Sequence, residues 1–168
     1  MDKRDADAAY VEYVTARALW FRRVAFLLCG DLDRADDLVQ TSVTKLYADW
    51  GRIRNVENLD GYARTIIVNT FLSEQRSPWW KRVTLGHEAA AEEPETVPAD
   101  LDLSLDLDEA LAAVPPRQRA VLVLRFYCDL SVREAAAVLG CSTGNIKSQT
   151  SRGLSALRNQ LATGPLAP

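Results

Sequence analysis

Lys147, Ser148, Gln149, Ser151 and Arg152 place two cations, two hydroxyls and an amide within six consecutive positions. Groups of these types bond phosphate oxygens and the hydrogen-bonding edges of base pairs. They can act together only if one helix face presents them, and the surrounding residues supply such a helix. Residues 131–157 read SVREAAAVLGCSTGNIKSQTSRGLSAL, with the spacing of a helix-turn-helix. Small Ala136 lets two helices approach, Gly140 can take the positive φ that ends the first, and Ile146 plugs the gap between them. Ser131 and Glu134 fit a capping box, and Ser142 is placed to cap the second helix. A seam of Ile146, Thr150, Leu154 and Leu157 leaves the five polar residues largely outside it, with Arg133 on the preceding helix as a phosphate contact. The same spacing also fits an ordinary helical hairpin with a solvated polar face.

Length and composition bound what can carry this motif. A chain of 168 residues suits one domain or two small ones with modest cores. It has no apolar run long enough for a membrane span, so no membrane insertion is expected, and the start MDKRDADAAY is too polar for a signal peptide. Cys29, Cys128 and Cys141 are scattered and odd in number, which fits a reducing cytoplasm and small buried hydrophobes rather than disulfides or zinc. The expectation is a soluble cytoplasmic protein.

The net charge of −3 conceals a division. Residues 87–110 hold nine acids and no Lys or Arg, which leaves the remainder at +6. Between Ser131 and Leu161 four basic residues oppose Glu134 alone. Pro94, Pro98 and the lack of bulky side chains between Leu85 and Leu101 describe a flexible acidic linker.

Helical periodicity fills the rest. One stripe runs Tyr10, Val14, Ala18, Phe21, Ala25, Leu28 and stops at Gly30. A second helix, with Asp33 as its cap, carries Val39, Val43, Leu46, Tyr47 and Trp50. After a polar loop from Gly51 to Asn58, a third runs from about Leu59 to Arg76 with Ala63, Ile66, Ile67 and Phe71 inward. Leu101, Leu103, Leu105 and Leu107 alternate as in a strand, but Leu103, Leu107 and Leu111 are also at helical spacing, which favours a helix from near Asp106 to Ala113. Another starts at Pro116 and leads into the helix-turn-helix. The fold class is all-α: two small helical domains, 1–83 and 105–163, joined by the acidic linker at 84–104.

Three segments occur in order: DRADDLVQTSVTKLYADW, LDGYARTIIVNTFLSEQR, and VPPRQRAVLVLRFYCDLSVREAAAVLGCSTGNIKSQTSRGLSALR. Together they resemble the small two-domain bacterial RNA polymerase sigma factors of the extracytoplasmic-function group, over about four-fifths of the chain. The resemblance implies a non-catalytic promoter-specificity subunit whose partners are core RNA polymerase and promoter DNA. It implies that Asp37, Leu38 and Gln40 dock on the clamp helices of the largest subunit, and that the 115–119 start holds the flap. It also implies that the first domain captures the melted −10 element through Arg52, Arg54, Asn55 and Asn58 of the loop and Tyr62, Arg64, Asn69 and Arg76 of the third helix. Cations with amide and stacking groups suit an extruded single strand, although Asn58 could equally be a helix cap. Trp79 and Trp80, beside Lys81 and Arg82, fit either strand stacking or closure of the bundle core. The second domain would read the −35 element as duplex through Arg133, Lys147, Ser148, Gln149, Ser151 and Arg152. The chain departs from the family's pattern at Thr41, where an acid is common, and at Gln149, where a basic residue is common. An inhibitory anti-sigma factor is a further class of partner that the resemblance allows.

Two other classes compete. A helix-turn-helix regulator acting without polymerase would bind intact duplex by itself. An enzyme finds little support: His87–Glu88 is not followed by a second histidine, and no P-loop, nucleophile elbow or dinucleotide glycine motif is present. No cofactor and no metal are expected.

Overall fold

The computed structural model describes residues 2–76 and 105–163; Trp79, Trp80, Lys81, Arg82, His87 and the acidic linker lie outside them. The first unit is α1 (Lys3–Cys29), α2 (Leu32–Ile53) and α3 (Leu59–Gln75). The second is α4 (Leu105–Ala112), α5 (Pro116–Leu122) running into a π-helical turn (Val123–Tyr127), α6 (Val132–Leu139) and α7 (Thr143–Thr163). No strand occurs among the described residues, so the leucine alternation resolves as helix from Leu105 onward.

Local chemistry sets the helix ends. Gly30 takes φ 70° and donates its N–H to Phe26 O at 2.8 Å, closing α1 with the left-handed residue that glycine tolerates. The cap of α2 is Asp31 rather than Asp33: the Asp31 carboxylate accepts from Arg34 N at 3.1 Å, two residues earlier than expected. α2 continues through Gly51 and Arg52 to Ile53, so the loop before α3 is shorter than its polar composition suggests. Asn58 then caps α3, its side-chain oxygen accepting from Gly61 N at 3.0 Å.

The buried row of α2 is Ala35, Leu38, Ser42, Leu46, Trp50 and Ile53. Val39 and Val43 are half-buried at the rim of the bundle, and Tyr47 is exposed, where its hydroxyl donates to Asp7 at 2.9 Å. Ser42 is the reason for the shift. A polar residue interrupts the true core row, so counting apolar residues favours the row beside it. Leu46 and Trp50 belong to both. Ala18 is likewise exposed, not part of the inward stripe of α1. Phe21, Leu28, Leu38, Leu46, Ile53, Ile67 and Phe71 form the fully buried centre. The Trp50 ring packs 5.6 Å from that of Tyr10 and 5.7 Å from that of Tyr13.

Val24 to Cys29 are all buried, without helical periodicity. A helix apolar all round needs neighbours on every side. Here α2 and α3 cover one side of the α1 end, and α4, α5 and the π-helical turn cover the other. The two units therefore meet in one continuous core. At the seam, Gly30 approaches α4 so closely that a Cβ on it would stand 2.8 Å from Ala112 Cβ. Arg119, only 8% exposed, reaches across from α5. Its guanidinium donates to Leu28 O at the end of α1, and within its own unit to Ala112 O at 2.9 Å and Val114 O at 2.8 Å. The family resemblance puts Arg119 in a polymerase-binding start; its side chain is instead turned inward. Burial pulls its pKa down to about 10.

The cysteines are free. Burial pushes the Cys29 thiol up to about 12 and the Cys128 thiol up to about 11, as expected of small hydrophobes that stay protonated.

Candidate nucleic-acid interface

The α6–α7 pair is a helix-turn-helix with both ends of α6 and the start of α7 capped. Ser131 Oγ accepts from Glu134 N at 3.0 Å, and Glu134 Oε1 accepts from Ser131 N at 3.0 Å, which completes the capping box. Gly140 adopts φ 63° between the helices, and Ser142 Oγ accepts from Asn145 N at 3.0 Å to start α7. Ile146 is completely buried against α6, and Ala135 and Ala136 give it room. Gly153 is buried too: a Cβ there would stand 3.1 Å from the Leu122 side chain, a tight contact that Leu122 would have to yield to, so α5 and α7 lie close at this point.

With Ile146 inward, each residue of α7 turns by about 100° about the axis. Lys147, Ser148, Ser151 and Arg152 fall on the outer arc and are exposed. Gln149 falls beside the seam and is half-buried, so it stands at the flank of this face rather than on it. Arg133 is exposed on α6. No acid occurs in α7, while Lys147, Arg152 and Arg158 do, so the face carries positive charge with no internal counter-ion. Thr143 and Gly144, exposed in the first turn of α7, belong to this face by position. Recognition helices meet bases through their N-terminal residues. The Ser142 cap marks these two positions in the sequence, but the charged residues further along are the more conspicuous signal.

The second candidate face lies where α2 meets α3. Tyr62 donates to Asp49 at 2.9 Å, and Arg52 donates to Tyr62 at 3.1 Å and pairs with Asp49 at 3.4 Å. This network joins the end of α2 to α3 and orients Arg52 outward. Asn55 and Arg76 are exposed, and Arg54 is half-buried. Asn58 is the α3 cap and is exposed, so its side-chain oxygen already has a backbone partner. Arg64 is half-buried; its charge reaches Asp60 on α3 and both Cys128 and Glu134 in the second unit. Asn69 donates to Val138 O of α6 at 3.4 Å. Arg64 and Asn69 thus face the second domain. Arg52, Arg54, Asn55, Asn58 and Tyr62 surround the α2–α3 junction, while Arg76 stands at the opposite end of α3 as its C-cap.

For polymerase docking, Asp37 and Gln40 are exposed on α2. Leu38 corrects the expectation: it is completely buried in the first core and offers no surface. It lies on the buried row that Ser42 disguises.

Asp60, in the first turn of α3, ties this face to α1. It accepts from Tyr13 at 2.6 Å and from Arg17. Burial pushes its carboxyl up, but the bonds from Tyr13 and Arg17, with the charges of Arg17 and Arg64, outweigh that and hold it below its ordinary range. A carboxylate with a depressed folded-state pKa adds stability that is complete above its unfolded value of roughly 4 and is lost as pH falls through the folded value. Its side chain is 51% exposed, so solvent screening limits the contribution to about 1 kcal/mol or less. Urea unfolding of the wild type and of Asp60→Asn should therefore differ at pH 7 and converge as pH falls below about 4. A gap that is independent of pH would reject this account.

Two comparisons decide the family. Residues 14–81 match Sigma-70 region 2, and residues 104–157 match Sigma-70, region 4. The RNA polymerase sigma-E factor of Streptomyces coelicolor is 34% identical over 162 residues, covering 94% of this chain and 88% of that protein. The chain belongs to the extracytoplasmic-function sigma factors. The sigma factor SigV of Bacillus subtilis is 29% identical over 165 residues, covering 98% of each chain. Among solved structures, the sigma factor RpoE of Bartonella quintana, crystallised with the anti-sigma factor NepR, superposes with a TM-score of 0.68 at 30% identity. That match covers 92% of this sigma factor and 97% of the other chain, so it spans both domains.

Proposed function

We propose that this sigma factor is a non-enzymatic promoter-specificity subunit, which binds core RNA polymerase in the cytoplasm and directs it to −35 and −10 elements. The division of labour follows the two units. The outer arc of α7, with Arg133, meets the −35 element in a major groove. The α2–α3 junction, with Arg52, Arg54, Asn55 and Asn58 and the α3 residues Tyr62, Arg64, Asn69 and Arg76, takes the melted −10 strand. Asp37 and Gln40 are the polymerase contacts, and the domain limits are 1–83 and 105–163. The observation that carries this reading is the joint presence of region 2 and region 4 in one chain, with the exposed face of α7 free of acids. A regulator that works without polymerase needs the second of these features alone.

Run-off transcription on fragments of the source genome, using bacterial core polymerase with and without the protein, tests the proposal. Discrete start sites that need both components are expected. Tight binding to intact duplex by the protein alone, without core-dependent initiation, would replace it with the regulator reading.

A further inference from the structure

Resting on the proposed function, we infer that Asp49 selects the base that the −10 face accepts, by presenting one carboxylate oxygen to an exocyclic amine. The two oxygens of this side chain differ in their bonding. Oδ2 accepts from the Tyr62 hydroxyl at 2.9 Å and pairs with Arg52 Nη2 at 3.4 Å. The same Nη2 donates to the Tyr62 hydroxyl at 3.1 Å, which closes a ring of three side chains. Oδ1 accepts no hydrogen bond among the described residues. It is not buried either, and the Asp49 side chain as a whole is 41% exposed. Tyr62 has a single hydroxyl proton, and giving it to Oδ2 fixes the phenol beside the open oxygen.

The chemistry of an unstacked base explains why an acid belongs here. Such a base needs an aromatic surface to stack on and partners for its hydrogen-bonding edge. The half-buried Tyr62 ring supplies the first, and Asp49 Oδ1 supplies an acceptor next to it. A carboxylate only accepts, so it pairs with the amine of cytosine, adenine or guanine and repels the carbonyl oxygens of thymine. Thymine alone has no such amine. For plain phosphate binding the same acid is a handicap, because it offsets the charge of Arg52 and repels the backbone. Asp49 thus weakens general attraction and adds discrimination. Arg52, whose side chain is 69% exposed, keeps its other N–H groups for a phosphate.

Asp49→Asn is the decisive variant. Tyr62 and Arg52 both donate to Oδ2, so the amide turns its oxygen toward them and its NH2 outward. The outward atom changes from acceptor to donor with almost no change of shape. The test uses a random pool of short single-stranded DNA, retained by bacterial core polymerase carrying the full-length protein and then sequenced. Core polymerase alone is the control. The wild type should enrich strands in which one position disfavours thymine about tenfold, the scale of one base-edge contact. Asp49→Asn should melt as the wild type does and favour thymine at that same position. Tyr62→Phe, which keeps the ring but gives Oδ2 no proton, should flatten the preference. An Asp49→Asn pool with the wild-type base order would overturn the proposal. So would a uniform loss of retention with no altered position, the result expected of a merely structural Asp49. Failure of the sigma reading is distinguishable: the wild type would then enrich nothing beyond core alone, and the role of Asp49 would fall with it.

Discussion

Replacing Lys147 and Arg152 together with alanine should cut initiation from promoters that require the −35 element by roughly 30-fold to 10,000-fold. Side-chain contacts to base edges typically discriminate by about 1–3 kcal/mol each, and about 1.4 kcal/mol is a factor of ten. Both residues are exposed on the outer arc of α7, and among the described residues neither makes a hydrogen bond or ion pair. Thermal stability should therefore stay within about 0.5 kcal/mol of the wild type, as for surface changes generally. The salt dependence of promoter binding should also weaken, by a slope of about one for each phosphate that the protein no longer neutralises. The acid-free surface of α7 makes this sharp, because no neighbouring carboxylate within the helix already neutralises either cation. Promoter titrations at two salt concentrations measure both effects. Unchanged initiation in the double variant would remove α7 as the reading helix.

Leu38→Ala should lower the stability of the first domain by about 2–5 kcal/mol, the range for a leucine removed from a packed core. In a domain of this size that corresponds to a fall in Tm of roughly 10–30 °C. Leu38 is completely buried on the row of α2 that also carries Ala35 and Ser42, and the deletion leaves a cavity in the first core. The two exposed neighbours should behave oppositely. Asp37→Ala and Gln40→Ala should leave unfolding almost unchanged and weaken binding to core polymerase. Thermal melts beside a core-binding assay separate the two kinds of effect. A Leu38→Ala protein with a wild-type melt and a specific loss of polymerase affinity would return Leu38 to the docking surface and contradict the fold of α2.

The helices, the helix-turn-helix and the family are all legible in the chain before it folds. They rest on local chemistry: the Ser131–Glu134 box, the positive φ at Gly30 and Gly140, the Ser142 cap and Pro116 at a helix start all act within a few residues of chain. Asp31 displaces Asp33 as a cap because nearby acids compete for one role, and only the bond to Arg34 N distinguishes them. The side of α2 that faces the core is not legible in this way. Two rows one residue apart are both apolar, and Ser42 disguises the one that the bundle buries. The family resemblance assigns Leu38 to docking, and its residue type does not argue against that, since a leucine has the same chemistry on a docking surface and in a core. The partners of Arg119 are equally hidden. Leu28 O lies 91 residues away in sequence, and a backbone carbonyl has no identity to read. That the two domains meet at all is a property of the folded chain, because their meeting depends on an unpartnered helix end, a missing Cβ at Gly30 and an arginine that finds both.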